Sequence, residues 1–256
     1  MSENEFILTG KTALVTGGAR RIGRAITLRL AEAGINVVIH CNTSVREAEA
    51  VAALARKQGV EAWTVRADLS SIDEVESIFP QLRGDTGPVD YLINNASVFP
   101  RSRLTELETD ELFRTLTVNA VAPLILANNF VRQTDTGAIV NILDSRIRRF
   151  DLDHASYQLS KTMLDTLTGM MAIEYAPRIR VNAVAPGMIL PPVDRDETFL
   201  EKQRGAALVK GRDRLADVTE AVLFLLSHEF VTGEVIFVDG GQNLKRSAMK
   251  EQTDEL

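Results

Sequence analysis

The stretch Thr12-Ala-Leu-Val-Thr-Gly-Gly-Ala-Arg-Arg-Ile-Gly23 decides how this chain is read. Thr12 to Thr16 is a short apolar run of strand length. From Arg21 to Ala33 the apolar residues Ile22, Ile26, Leu28 and Leu30 recur at a spacing that predicts an amphipathic helix. Small residues between the two let the backbone turn tightly, so that the first N–H groups of the helix can meet a phosphate. Many turns carry two glycines. It is the position at the first strand–helix junction that points to a nucleotide.

The rest of the chain repeats the alternation. Strands are predicted at Ile35 to His40, Ala62 to Arg66, Tyr91 to Asn94, Ala138 to Leu143, Arg180 to Val184 and Glu234 to Val238. Helices are predicted from Ser44, a plausible N-cap, to Lys57, and at Ile72 to Leu82, Glu106 to Val131, His154 to Tyr175 and Val218 to Leu226. Continuous apolar strands alternating with helices imply a parallel sheet covered on both faces. The fold class is therefore α/β, a Rossmann-type doubly wound sheet, with residues 1–256 as a single domain. Residues 188–212, rich in proline and charge, are predicted to form a substrate lid, and residues 242–256 a polar tail.

Composition narrows the function classes. Twenty-nine Lys and Arg against 35 Asp and Glu give a net charge of −6, which argues against nucleic acid as the main partner. No apolar run approaches the roughly 18 residues of a membrane span. The acidic start lacks the layout of a signal peptide, and Thr253-Asp-Glu-Leu256 echoes a retention tetrapeptide without its leading Lys. The single cysteine, Cys41, excludes an internal disulfide. A cytoplasmic protein is expected. His40, His154 and His228 have no ligand-spaced partners, so no metal site is expected.

The turn resembles that of the short-chain dehydrogenase/reductase family, and later segments match in order: Asp68-Leu69, Asn94-Asn-Ala-Ser97, Val184-Ala-Pro-Gly187 and Val238-Asp-Gly-Gly241. The resemblance implies a nicotinamide dinucleotide held by Gly17, Arg21, Ile22 and Gly23 at the pyrophosphate. Asp68 and Leu69 would flank the adenine, with Asn95, Ala96, Ser97, Pro186, Gly187 and Ile189 closer to the nicotinamide. The second strand ends Val37-Val-Ile-His-Cys-Asn42 with no carboxylate for ribose hydroxyls. Arg20 stands where NADP-using relatives place a basic residue, and His40, Asn42, Thr43 and Ser44 offer neutral hydrogen bonds. NADPH is expected over NADH.

Tyr157 and Lys161, four residues apart, share one helix face. A nearby ammonium favours tyrosinate and lowers the phenol pKa. In the family these are the catalytic pair, with Lys161 also on the nicotinamide ribose, and Asn119 matches the residue that holds a structural water. Where most relatives have a serine, thirteen residues before the tyrosine, this chain has Asp144; a shift to the adjacent Ser145 is the other reading. With Arg21 in place of a glycine, Ser97 and Phe99, the chain most resembles the pteridine reductases. That likeness implies Phe99 stacked on a pterin, with Arg21, Ser97, Asp144 and Tyr157 around it. Arg101, Arg103, Arg146, Arg148 and Arg149 are read either as a lure for an anionic folate tail or as a solvated rim. A carbonyl reductase of 3-oxoacyl thioesters and a non-catalytic nucleotide-binding regulator are the competing functions. Family resemblance also implies a homotetramer.

Overall fold

Successive side chains of a strand point to opposite faces of its sheet, and this alternation sorts the apolar strands into two layers. The computed structural model describes residues 8–82, 84, 86–189, 207–209 and 215–246. Its strands are β1 (Thr12–Val15), β2 (Asn36–Cys41), β3 (Ala62–Arg66), β4 (Tyr91–Asn94), β5 (Gly137–Ile142), β6 (Ile179–Pro186) and β7 (Val235–Val238). They form one sheet in the order β3-β2-β1-β4-β5-β6-β7, parallel throughout. Helices α1 (Arg21–Glu32), α2 (Val45–Arg56), α3 (Ile72–Leu82), α4 (Thr109–Leu116), α5 (Ala122–Gln133), α6 (Ala155–Glu174) and α7 (Leu215–Ser227) connect them.

Ala13, Val15, Val37 and Ile39 face one side, against Ile26 and Leu30 of α1, Val51 of α2 and Val222 of α7. Leu14 and Val38 face the other, against Val75 and Ile78 of α3, Phe130 of α5 and Met171 of α6. Burying one such aliphatic side chain is worth about 1.5–3 kcal/mol. Packing on both faces therefore holds the strand ends in fixed positions. β1 neighbours β2 on one side and β4 on the other. The strand order reverses there, and ligands of open α/β sheets bind outside the carboxyl ends of the strands at such a point.

One predicted helix differs from expectation. The region around Glu106 to Val131 is divided into a 3₁₀ turn (Leu104–Glu106), α4, a π turn (Thr117–Val121) and α5. The π turn carries Asn119, whose side chain accepts from the Val98 N–H and donates to the Val98 carbonyl, both at 2.9 Å. Periodicity does not register this clamp, because it joins segments 21 residues apart. Ser44 sits at the N-cap of α2 but makes no side-chain cap bond. Of the predicted lid, Met188, Ile189 and residues 207–209 are described, while residues 190–206 and 210–212 lie outside the described residues. In the predicted tail, Gln242–Arg246 forms a 3₁₀ turn, and residues 247–256 lie outside the described residues.

Candidate active site

The loops leaving β1, β4, β5 and β6 converge on the carboxyl edge of the sheet. After β1, Gly17 has φ 62, and a Cβ on Gly23 would lie 2.2 Å from the Gly17 carbonyl oxygen and 2.5 Å from Asn95 Nδ2. Only glycine fits the second position. Asn95 Nδ2 donates to the Thr16 carbonyl at 2.8 Å, and the Asn95 and Ala96 N–H groups both reach Thr16 Oγ1. The β4 loop is thereby stitched to the turn. α1 starts with no side-chain cap and no acidic residue in its first turn, which suits an anion at its N-terminus. Exposed Arg20 and Arg21 flank this end, and Arg21 has a left-handed φ of 52. These residues fit the pyrophosphate of a dinucleotide.

His40 differs from its expected role. Its Nδ1 accepts the Gly17 N–H at 3.2 Å and its Nε2 faces the Ala67 carbonyl at 3.0 Å. Both ring nitrogens are thus engaged by the protein, which makes His40 a brace for the glycine turn rather than a hydrogen-bonding group for the adenosine. Burial drives its pKa down to about 4. An unfolded histidine titrates near 6.5, so the unfolded state binds the extra proton first and stability falls as pH drops from about 6.5 to 4. The loss attributable to His40 should reach about 3 kcal/mol. Urea unfolding at pH 7.5 and pH 4.5 checks this, with a His40→Asn variant expected to lack that share of the acid sensitivity.

Next to the turn, the Asp68 carboxylate accepts the Ser70 N–H and hydroxyl at 2.9 and 2.8 Å. These bonds, with a further one from Asn42, hold it below the usual carboxylate range. Leu69 is buried, whereas Asn42 and Thr43 are exposed and Ser44 half-buried. Arg20 is ion-paired with Glu47. β2 ends without a carboxylate among residues 40–44, and the carboxylates nearest this end are Glu47, held by Arg20, and Asp68, held by Ser70 and Asn42. Pro186 and Ile189 are buried, and the Gly187 N–H is held by the Val238 carbonyl at 2.9 Å. Half-buried Ile22 packs against the core.

At the reacting end, the Tyr157 hydroxyl donates to Asp144 Oδ2 at 2.9 Å. Asp144, not Ser145, therefore partners the tyrosine. Lys161 Nζ donates to the Ile142 carbonyl at 2.8 Å and lies 5.8 Å from the Tyr157 ring centroid. Burial pushes Lys161 down to about 8, with the Asp144 charge opposing. The expectation that Lys161 lowers the Tyr157 pKa is overturned. Burial, then the Asp144 carboxylate, pushes Tyr157 well above its ordinary value, with Arg146 opposing. Tyr157 consequently holds its proton and is a donor. Asn119 uses both side-chain N–H groups, on the Val98 carbonyl and on Ser160 Oγ at 2.9 Å, and its Oδ1 accepts the Val98 N–H, while its backbone lies in the π turn, where the helical ladder is interrupted.

A family model described as Enoyl-(Acyl carrier protein) reductase matches residues 17–243. The chain belongs to the short-chain dehydrogenase/reductase family. This reductase is similar over nearly its full length to FolM alternative dihydrofolate reductase 1 from Brucella canis, crystallised with NADP. That match has 36% identity and a TM-score of 0.89, and covers 97% of this chain and 98% of that one. Versicolorin reductase 1 of Dothistroma septosporum is 33% identical, with 94% of this chain and 99% of that protein covered. The 3-oxoacyl-[acyl-carrier-protein] reductase FabG of Staphylococcus aureus is 32% identical, with 90% and 97% covered.

The reductase has a wall that spacing did not reveal. Phe99, 44% exposed, meets Tyr157 edge-on at 4.5 Å between centroids. Its ring is also stacked on the His154 imidazole at 4.0 Å, and Arg146 lies over it at 4.8 Å. His154 thus belongs to the site. Asp151 joins the two, at 2.6 Å from Arg146 Nη1 and 3.0 Å from His154 Nδ1. The arginines grouped by sequence are split. Arg146 pairs with Asp144 and Asp151, Arg148 lies over Phe237, and Arg101 and Arg103 are exposed. Ser97 is exposed beside this wall in sequence. The sequence reading places Arg146 only within the arginine cluster and does not single out Asp151; the signals that link them to the site are the Asp144-x-Arg146 and Asp151-x-x-His154 spacings. Among the described residues no group of three His, Cys, Asp or Glu is placed to hold a metal ion, and no helix is long and apolar enough to cross a membrane.

Proposed function

We propose that the protein is an NADPH-dependent reductase of pterins, taking a dihydropterin, a dihydrofolate or an oxidised pterin to the tetrahydro form. The observation that carries this reading is the bond from the Tyr157 hydroxyl to Asp144. A serine hydroxyl suits a carbonyl oxygen, whereas a carboxylate beside the phenol supports proton delivery to a ring nitrogen or carbon. Phe99 at the edge of Tyr157 adds an aromatic wall suited to a planar heterocycle. Likeness to FolM alternative dihydrofolate reductase 1 supports the same substrate class.

When bound, NADPH supplies the hydride. Gly17, Arg21, Ile22 and Gly23 hold its pyrophosphate end, with Arg20, Asn42, Thr43 and Ser44 at the ribose phosphate and Asp68 and Leu69 at the adenine. Asn95, Ala96, Ser97, Pro186, Gly187, Ile189 and Lys161 position the other end. Tyr157 donates the proton, and Asp144 orients its hydroxyl. Lys161 offsets the negative charge left on the phenol oxygen. Arg21 and Ser97 reach the substrate; because His154 is stacked on Phe99 and Arg146 lies over its ring, a pterin stacks on Phe99 only by displacing one of them.

A second reading, reduction of a carbonyl in a 3-oxoacyl thioester, is favoured by the likeness to FabG. NADPH oxidation with dihydrobiopterin, dihydrofolate and acetoacetyl thioester separates the two. Turnover of the pterins is expected; turnover of the thioester alone would sink the pterin reading. We further propose a homotetrameric cytoplasmic enzyme, with α5 and α6 in the subunit contacts. Size-exclusion chromatography with light scattering tests the assembly, and a monomer would reject it.

A further inference from the structure

A carboxylate beside a proton-donating phenol carries an electrostatic penalty that a serine does not. As the Tyr157 O–H bond breaks and its proton passes to substrate, negative charge grows on an oxygen that rests 2.9 Å from Asp144 Oδ2. Two like charges then face each other in a buried setting. Something positive must offset them. Lys161 is one cation, 5.8 Å from the Tyr157 ring centroid and tied to the Ile142 carbonyl, and it makes no bond to Asp144 among the described residues.

Arg146 is the second. Its guanidinium carbon lies 5.8 Å from the Tyr157 ring centroid, the same separation as Lys161 Nζ. Its Nε is 3.1 Å and its backbone N–H 2.8 Å from Asp144 Oδ1. Oδ1 is thus taken by two donors, leaving Oδ2 for the Tyr157 hydroxyl. The guanidinium is itself gripped from the other side by Asp151 at 2.6 Å, and Asp151 also takes His154 Nδ1 at 3.0 Å. Burial works against the charge on Arg146, yet Asp144, Tyr157 and Asp151 hold its pKa above the ordinary value. Burial likewise works against Asp151, which bonds from Arg146 and His154 keep below the carboxylate range.

We propose that Arg146 is a positioning residue for the reaction: it holds Asp144 as an acceptor aimed at the Tyr157 hydroxyl and offsets the charge that develops between them, with Asp151 and His154 fixing the guanidinium. Replacing the family's serine by Asp144 makes Arg146 necessary. The proposal rests on Tyr157 acting as the proton donor and not on the choice of pterin over thioester.

A double-mutant cycle tests it. Arg146→Ala should lower kcat by about 10²-fold, the usual cost of removing one group that stabilises a developing charge. It should leave NADPH affinity, read by cofactor fluorescence, within about twofold. Made in an Asp144→Asn background, the same substitution should change kcat by about twofold or less, because the like charge it offsets is gone. Arg146→Lys, which keeps the charge but not the fork between two carboxylates, should fall between. The cycle is run with dihydrobiopterin and with acetoacetyl thioester. Turnover of the thioester alone removes the pterin reading and leaves the cycle readable. An equal loss in both backgrounds, with NADPH affinity retained, overturns the role of Arg146; a merely structural arginine gives that pattern.

Discussion

Tyr157→Phe is expected to lower kcat by about 10³-fold while leaving NADPH affinity almost unchanged. Tyr157 is the only group whose hydroxyl is bonded to Asp144 among the described residues. Its ring is buried, with 8% exposure, and is wedged against Phe99, so phenylalanine keeps the packing and loses only the proton. The loss is large because the substitution removes the one hydroxyl proton donor bonded to Asp144. Burial and the Asp144 carboxylate favour the protonated phenol, which suits a donor in the reductive direction. Single-turnover absorbance of NADPH, with binding followed separately by fluorescence, checks the split. A tenfold or smaller drop in kcat would mean that the proton comes from elsewhere.

Gly23→Ala is expected to abolish cofactor binding and to destabilise the fold by about 3 kcal/mol, at the upper end for overpacking a rigid site. The added methyl would meet the Gly17 carbonyl oxygen and Asn95 Nδ2, both far inside contact distance. Neither neighbour can withdraw cheaply. The Gly17 backbone is held by its N–H bond to His40, and the Asn95 amide by its bond to the Thr16 carbonyl. Thermal unfolding with and without NADPH reads both effects. The unmodified protein should be stabilised by the cofactor and the variant should not. A variant that binds NADPH normally would show that the turn can re-form around a side chain.

Much of the fold was legible because its signals are local. Three strand and helix spans, Ala62–Arg66, Ile72–Leu82 and Tyr91–Asn94, match their predicted limits, since apolar periodicity and flanking turn residues act within a few positions. The glycine turn was equally legible, as was the pairing of Tyr157 with Asp144, through the resemblance that those motifs carry. The interrupted helix at Thr117–Val121 was not. It carries the Asn119–Val98 clamp, a contact between segments that no local pattern couples.

The site divides in the same way. Sequence alone determined the α/β class, the glycine turn at the β1–α1 junction, the absence of a carboxylate at the end of β2, and the substitution of serine by Asp144. These are matters of residue type and order. Tertiary structure decided what those residues do. It turned His40 from a ribose contact into a brace under Gly17, reversed the expected direction of the Tyr157 pKa, and drew Arg146, Asp151 and His154 into the wall beside Phe99. The physical reason is common to all three. Burial and the sign of the nearest charge set protonation and hydrogen bonding, and both are fixed by distances between loops that meet only when β1, β4, β5 and β6 align their carboxyl ends.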